Sequence, residues 1–251
     1  MLNEIILAVV QALTEFLPIS SDGHLALVSN IISTPNLFFI TFLHLASLLA
    51  VIIFTRKEII EIFRFNKESW KMIGLLIIGI IPAGLVGFFL GDLIEGTLAS
   101  YLLISLFFLF TGIVVFSSKF FKASKYELNS GNVFFIGLMQ AIALLPGVSR
   151  SGMTISTSLF FGIDKEKAVK FSFLMFIPLV IGAFSLEFIK NPRAIAEFSV
   201  MTLAVSFTVC FVLSLICLNI LNYIVKTDKF WIFGIYCFII AIVSFLLFLY
   251  L

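Results

Sequence analysis

The sequence is short of charge. Only 12% of its 251 residues are Asp, Glu, Lys or Arg, about half the roughly 25% of an ordinary soluble domain. A globule must cover itself with polar side chains. A 61% hydrophobic composition with 32 phenylalanines and a mean hydropathy of +1.21 therefore excludes a soluble enzyme and makes lipid the solvent for most of the surface. Cysteine is also scarce. Cys210, Cys217 and Cys237 are odd in number and lie in apolar runs, which speaks against a disulfide framework or a metal-ligand spacing and leaves them as packing residues. Neither sign of charge dominates: 16 basic against 14 acidic residues give +2, no field for nucleic acid. The start, Met1 to Glu4, lacks a basic n-region, so a cleaved signal peptide is not expected.

Long apolar runs are what the chain has instead. A membrane span needs about 20 mainly apolar residues, and five stretches reach or approach that length without a charged residue: Leu37 to Thr55, Met72 to Gly91, Thr97 to Ser118, Phe198 to Val225 and Phe230 to Leu251. A sixth, Phe171 to Leu186, is shorter, but Lys170 and Glu187 can snorkel at its ends. Four further apolar pieces come in two pairs joined by polar loops with Gly and Pro: Ile5 to Phe16 with His24 to Ile32, and Val133 to Leu145 with Met153 to Ile163. Apolar segments this short are candidates for re-entrant half-helices; the plainer alternative is that each pair is one kinked span. A repeat favours the half-helices. Gln11-Ala12, Ser20 and Gly23 recur as Gln140-Ala141, Ser149 and Gly152, at a constant offset of 129. The expected fold is an all-α polytopic membrane protein, a single membrane domain over residues 1–251 with halves of about 1–125 and 126–251. Each half holds two re-entrant half-helices and three transmembrane helices; an odd number of spans makes this an inverted-topology repeat, whose sites form where broken helices meet near the midplane.

On this layout one face carries thirteen basic residues: Arg56, Lys57, Arg64, Lys67, Lys71, Lys119, Lys122, Lys125, Lys165, Lys167, Lys170, Lys226 and Lys229. The other carries Lys190 and Arg193, and the mixed-charge run from Arg56 to Lys71 reads as an interfacial connection. Only Arg150 is left over, inside the apolar second hairpin between Leu144 and Thr154. An arginine there costs about 2.5–3.5 kcal/mol even on lenient scales, so it should face a partner or a watery cavity. Ser149, Ser151 and Thr154 surround it with hydroxyls, Gly147 and Gly152 let backbone approach a ligand, and a helix starting after the loop points free N–H groups at the same place. That combination suits a phosphate; the alternative is a buried Arg–Glu pair that only pins the halves together.

The first hairpin supplies the complement. Gln11 and Glu15 are four apart on one helical face, Pro18 ends the helix, and Ser20, Ser21, Asp22 and His24 crowd the loop and the next helix start. Ser21 or Asp22 could serve as a helix cap, but capping explains neither Glu15 in an apolar stretch nor His24 with acid, hydroxyls and glycine nearby. Carboxylate, hydroxyl and imidazole are the parts that activate a nucleophile and protonate a leaving group, and the carboxylates Glu15 and Asp22 suit a hard divalent ion on phosphate oxygens. His44 lies inside a span, where an interhelical hydrogen bond and a place in the site are both open readings.

These residues carry a resemblance. Gln11 and Glu15, then Phe-Leu-Pro and Ser-Ser-x-Gly-His over 16–24, and Pro-Gly-x-Ser-Arg-Ser-Gly-x-Thr over 146–154 resemble the undecaprenyl-diphosphate phosphatase family of bacterial membranes, the bacitracin-resistance type, over essentially the whole chain. The resemblance implies hydrolysis of undecaprenyl diphosphate to the monophosphate carrier reused in cell-wall synthesis, with a divalent cation, Mg²⁺ or Ca²⁺, assisting. It implies Glu15, Ser21, His24 and Arg150 as catalytic, and Gln11, Ser20, Gly147, Ser149, Ser151, Gly152 and Thr154 around the substrate. Two positions depart from the pattern: Gln11 is the amide variant of the first acid, and Asp22 stands where a small hydroxyl residue is usual and can restore that charge.

The expected protein is thus a multi-pass enzyme of the bacterial plasma membrane with a lipid diphosphate substrate and no nucleic-acid partner. Whether it pairs as a homodimer through its long spans is left open, as is whether Ser21 or a water activated by His24 attacks. A carrier of a prenyl phosphate or other anionic lipid is the rival reading; it needs charge complementarity but no nucleophile, so the grouping of Glu15, Ser21 and His24 favours the enzyme. The thirteen-to-two basic count places both termini and the opening of the site on the outer side. A cysteine at position 2 or 251 is then expected to react with a membrane-impermeant thiol reagent on intact cells, with one near Lys125 protected; the reverse labelling would overturn the layout.

Overall fold

In a computed structural model of the chain, residues 1–32, 37–121 and 126–250 are described; Lys122, Lys125 and Leu251, which entered the charge and span counts, lie outside them. The described residues are helical, with no strand beyond one bridge between Tyr126 and Ile163. In chain order the helices are α1 (Leu2–Glu15), α2 (Ser21–Ile32), α3 (Leu37–Phe54), α4 (Arg56–Ile62), α5 (Lys67–Glu95), α6 (Tyr101–Ser117), α7 (Ser130–Ile142), α8 (Arg150–Phe160), α9 (Lys165–Lys190), α10 (Val200–Lys226) and α11 (Ile232–Tyr250).

Five helices, α5, α6, α9, α10 and α11, are long and apolar enough to cross a bilayer. Helix α3 meets the same length and apolarity only when taken with α4, which bends away from it by 74°. The bend suits the composition: α3 carries no charge in its end turns, whereas α4, Arg-Lys-Glu-Ile-Ile-Glu-Ile, is mostly charged and has no buried residue. Exposed Phe63, Phe65 and Trp70 cluster just beyond it, as aromatics do at a membrane interface. Helices α1, α2, α7 and α8 have 14, 12, 13 and 11 residues. At 1.5 Å per residue they rise only about 16–21 Å, short of a hydrocarbon core of about 30 Å.

Small residues decide how closely the spans approach. Helices α6 and α11 meet at Gly112 and Gly234: a β-carbon on Gly234 would lie 2.6 Å from the Phe116 backbone nitrogen and 2.8 Å from the Gly112 oxygen. The same pair is bonded by Ser105 Oγ to the Ala241 carbonyl at 2.8 Å and Ser244 Oγ to the Tyr101 carbonyl at 3.0 Å. Hydroxyl-to-carbonyl bonds of this kind glue helices that share no hydrophobic drive to associate in lipid. Helices α5 and α7 cross at Gly79 and Gly137, where a β-carbon on Gly137 would lie 2.6 Å from the Gly79 oxygen. Helix α1 packs on α10, α7 on α5, and α3 on α9. All three cysteines are buried, and Cys210 packs among Ser47, Ser214 and the Leu43 carbonyl.

Gly234→Ala is expected to overpack the α6–α11 contact by about 1–3 kcal/mol and lower the melting temperature in detergent. Gly74→Ala, whose new β-carbon meets nothing within 4 Å, removes a helix-interior glycine and should stabilise by up to about 0.5–1 kcal/mol, holding or raising the melting temperature. Equal melting of both variants would show that the close approach does not govern stability.

Candidate active site

The first turn is built by one proline and one strained serine. After α1 ends at Glu15, Ile19 N–H closes on the Leu17 carbonyl at 2.7 Å around Pro18, whose ring fixes φ. Ser20 then takes a left-handed conformation, φ +66, which costs a non-glycine residue about 1–2 kcal/mol. Its Oγ accepts from Gly23 N–H at 3.3 Å and, across the molecule, from Gly147 N–H at 3.0 Å. This geometry starts α2 at Ser21 and returns the Ser21 hydroxyl to the end of α1, where it donates to Glu15 Oε2 at 2.6 Å.

The second turn is its counterpart. Gly147, φ +108, lets the chain reverse, and Ser149 caps α8 by accepting from Gly152 N–H at 3.1 Å. Thr111 on α6 holds the turn on both sides, donating to the Gly147 carbonyl at 2.7 Å and accepting from Ser149 N–H at 3.1 Å. Arg150 is the first residue of α8 and reaches back to the other hairpin, with Nη2 2.8 Å from Glu15 Oε1 and the guanidinium carbon 4.1 Å above the centre of the Phe176 ring. The two side chains are 14% and 5% exposed. Arg150 Nη1 is buried and has no hydrogen-bond partner within the protein.

Glu15 is therefore the hub. Oε1 takes Arg150; Oε2 takes Ser21, Gln11 Nε2 at 3.0 Å and faces His44 Nε2 at 3.3 Å. His44 Nδ1 lies 2.9 Å from the Ile40 carbonyl. A carbonyl only accepts, so Nδ1 keeps its proton and Nε2 is the nitrogen that gains or loses one. Asp22 Oδ1 is 3.9 Å from the same Nε2. Glu15, Ser20, Ser21, Asp22, His44, Ser149 and Arg150 line one cavity of about 600 Å³. Its far end reaches Asp92 and Lys190, an exposed ion pair at 3.3 Å.

Several expected site residues are placed elsewhere. His24 is not beside the acid: its Nδ1 bonds the Ser20 carbonyl at 2.7 Å and its Nε2 the Tyr236 hydroxyl at 2.9 Å, on a helix face turned away from the cavity. The histidine that faces Glu15 is His44. Gly147 and Gly152 do not make room for a ligand; β-carbons there would strike the Ile104 oxygen at 2.8 Å and Val115 Cγ2 at 2.9 Å, so both glycines serve packing between helices. Ser151 Oγ donates to the Leu17 carbonyl at 3.3 Å, and Thr154 Oγ1 to the Arg150 carbonyl at 2.9 Å; neither lines the cavity. Gln11 is fully buried behind Glu15 with Oε1 unpartnered within the protein. Gln140 was visible only as the repeat partner of Gln11. It lines the cavity, with Nε2 on the Gly79 carbonyl at 3.2 Å and Oε1 likewise unpartnered.

For a divalent cation the donors are all oxygens of the kind Mg²⁺ and Ca²⁺ take, but they are few. Among the described residues no three His, Cys, Asp or Glu groups are gathered as a cage, and Glu15 already accepts from Gln11, Ser21 and Arg150. Asp22, 45% exposed, is the carboxylate with room. One or two carboxylates completed by phosphate oxygens and water is how proteins commonly hold Mg²⁺, so the residues fit an ion shared with a bound diphosphate.

The family model described as bacitracin resistance protein BacA matches residues 4–243. A protein of Thermosipho africanus (strain TCF52B) named undecaprenyl-diphosphatase is 41% identical, the match covering 97% of this chain and 99% of that one. Proteins of the same name from Methanococcus maripaludis (strain C7 / ATCC BAA-1331), 41% identical over 95% of this chain and 96% of its own length, and from Christiangramia forsetii, 35% identical over 96% of each, align equally fully. Both loops of the site fall within the matched span, and the chain belongs to the bacitracin resistance protein BacA family.

Proposed function

We propose that the protein hydrolyses the phosphoanhydride bond of undecaprenyl diphosphate, releasing inorganic phosphate and the monophosphate carrier. One observation carries the chemistry: a single buried carboxylate, Glu15, binds both a serine hydroxyl and an arginine whose other amino group has no partner within the protein. The relatives above carry a hydrolase's name, so the carrier alternative has no support from them.

In this reading Arg150 gives the terminal phosphate its unpaired Nη1. The Arg150 backbone N–H, which opens α8 and which no helical carbonyl takes, adds to the charge that Arg150 sets against the phosphoryl oxygens. Ser21 Oγ attacks the terminal phosphorus as Glu15 takes its proton. The bond to the bridging oxygen breaks, and the prenyl monophosphate leaves. Water then attacks the phosphoserine while Glu15 returns a proton to the departing Ser21 oxygen, releasing phosphate. His44 Nε2 faces the same Glu15 oxygen, Oε2, at 3.3 Å. Asp22 would hold a divalent cation, Mg²⁺ or Ca²⁺, which would supply the remaining positive charge.

We also read the fold as an inverted repeat of residues 2–117 on 130–250. The helix order supports it: α1, α2, α3, α5 and α6 are followed in the same order by α7 to α11. So do the contacts, since α3 packs on its counterpart α9, α6 on α11, and α1 on α10 as α7 does on α5. The short hairpins are then re-entrant. Ion pairs Lys170–Glu58, Lys165–Asp228, Lys226–Glu166 and Lys71–Glu127 gather the lysine-rich ends on one face. The cavity runs toward Asp92 and Lys190, at the other ends of α5 and α9. By the excess of basic residues that mouth is extracytoplasmic, as are both termini. The prenyl chain stays in lipid while the head group enters.

Two substitutions test the assignment on purified protein with undecaprenyl diphosphate. Arg150→Lys keeps the charge but loses the planar fork, and phosphate release should fall about 10²–10³-fold at unchanged yield; wild-type turnover would reduce Arg150 to a link between the hairpins. Ser21→Ala removes the attacking atom and should cost about four orders of magnitude or more. A variant that kept more than about a tenth of wild-type turnover would eliminate the covalent route, since losing a hydrogen bond alone costs roughly that much.

A further inference from the structure

Tyr236, on the last helix, lies far along the chain from either loop, yet it holds the one ring nitrogen of His24 that the first hairpin does not. The Tyr236 hydroxyl is 2.9 Å from His24 Nε2, and the two rings stack at 5.7 Å with an interplanar angle of 15°. On its other edge the imidazole meets Phe108 of α6 edge-on at 5.1 Å. The Ser20 carbonyl accepts from Nδ1 at 2.7 Å, so Nδ1 carries the proton and Nε2 accepts from the tyrosine. That carbonyl is also the acceptor of the first backbone bond of α2, from His24 N–H, which is long at 3.3 Å. The shorter bond to Ser20 is the side chain's. The next residue of α11 grips the same loop, with Cys237 Sγ 3.6 Å from the Pro18 carbonyl.

Ser20 is in a conformation that a non-glycine residue leaves unless its surroundings hold it. What depends on it is the direction in which Ser21 starts α2, and hence the 2.6 Å bond from Ser21 to Glu15. We propose that His24 and Tyr236 are positioning residues: Tyr236 fixes the imidazole, the imidazole fixes the Ser20 carbonyl in its left-handed turn, and the turn aims Ser21 Oγ at the acid and the phosphate. The inference rests on Ser21 as the attacking group, and it takes His24 out of proton transfer.

Asparagine and glutamine separate this role from acid–base chemistry, because the Asn amide nitrogen falls near the place of Nδ1 and the Gln amide nitrogen near that of Nε2. His24→Asn keeps the donor to Ser20 and loses only the tyrosine; kcat is expected to fall about threefold to tenfold, the share of one neutral hydrogen bond. His24→Gln keeps a partner for Tyr236 but frees the Ser20 carbonyl, and kcat should fall by about 10²-fold, the scale of a misplaced reacting group. KM should hold in both, since neither residue lines the cavity. Tyr236→Phe should match His24→Asn, and adding it to His24→Asn should cost nothing more, since the tyrosine acts only through the imidazole. Loss in His24→Asn as deep as in His24→Gln would overturn the proposal by returning His24 to proton transfer. A further loss on adding Tyr236→Phe to His24→Asn would overturn the tyrosine's part. Ser21→Ala, measured alongside, tests the underlying reading separately: a variant that stays active sinks the serine route whatever the histidine variants do.

Discussion

One buried ion pair joins the two hairpins that build the site. Glu15 closes α1 and Arg150 opens α8, 135 residues apart, and their side chains meet at 2.8 Å with almost no exposure. A pair buried this deeply adds little to stability by itself, because desolvation takes back most of the attraction. Removing one partner is another matter, about 3–5 kcal/mol for the charge left behind. The surroundings explain how the pair is tolerated. Gln11, Ser21 and His44 gather on the free carboxylate oxygen, and Phe176 lies under the guanidinium. Each contact comes from a different element, so the pair is fully surrounded only when α1, α2, α3, α8 and α9 are all in place.

The loops around the pair obey the same constraint at backbone level. Irregular chain that is buried must have its N–H and C=O groups satisfied from within the protein. Here the hydroxyls do that: Ser20 takes Gly147 N–H, Thr111 bridges Gly147 and Ser149, and Ser151 reaches the Leu17 carbonyl. Gly23 shows how closely the hairpins are docked, since a β-carbon there would lie 2.8 Å from Gly147 Cα. The hydroxyl-rich character of the motifs is therefore largely architectural. Only Ser20, Ser21 and Ser149 of those serines also face the cavity.

What could be read from the sequence was whatever is local. The apolar runs marked the spans, and the Gln11–Glu15 spacing and Pro18 marked the end of α1, because these depend on one helix or one turn. Arg150 stood out since no lipid-facing position accepts it. The placements that sequence did not foresee fall where two elements meet. His24 sits three residues from Ser21 and looked like its partner, but residue 24 points off α2 toward α11, and nothing near it in sequence says so. His44 reaches Glu15 from a neighbouring span, a contact no spacing encodes. Gly147 and Gly152 could be recognised as sites of close approach, but whether ligand or protein approaches is decided by α6, which supplies Ile104, Thr111 and Val115.

The charges lining the cavity also bear on how its substrate is bound. A diphosphate brings several negative charges, yet near the reacting end the fixed basic group is Arg150, already facing Glu15, with Asp22 beside it. Lys190 is at the distant mouth and paired with Asp92. The uncharged donors, the Arg150 amide and Ser149, spread charge without balancing it. On the proposed reading, Asp22, open to the cavity where Glu15 is closed, would be the carboxylate to hold a divalent cation, which would balance the remaining charge of the diphosphate. The acid that handles the serine proton and the acid that meets the ion are then separate carboxylates. His44 faces both, 3.3 Å from one and 3.9 Å from the other.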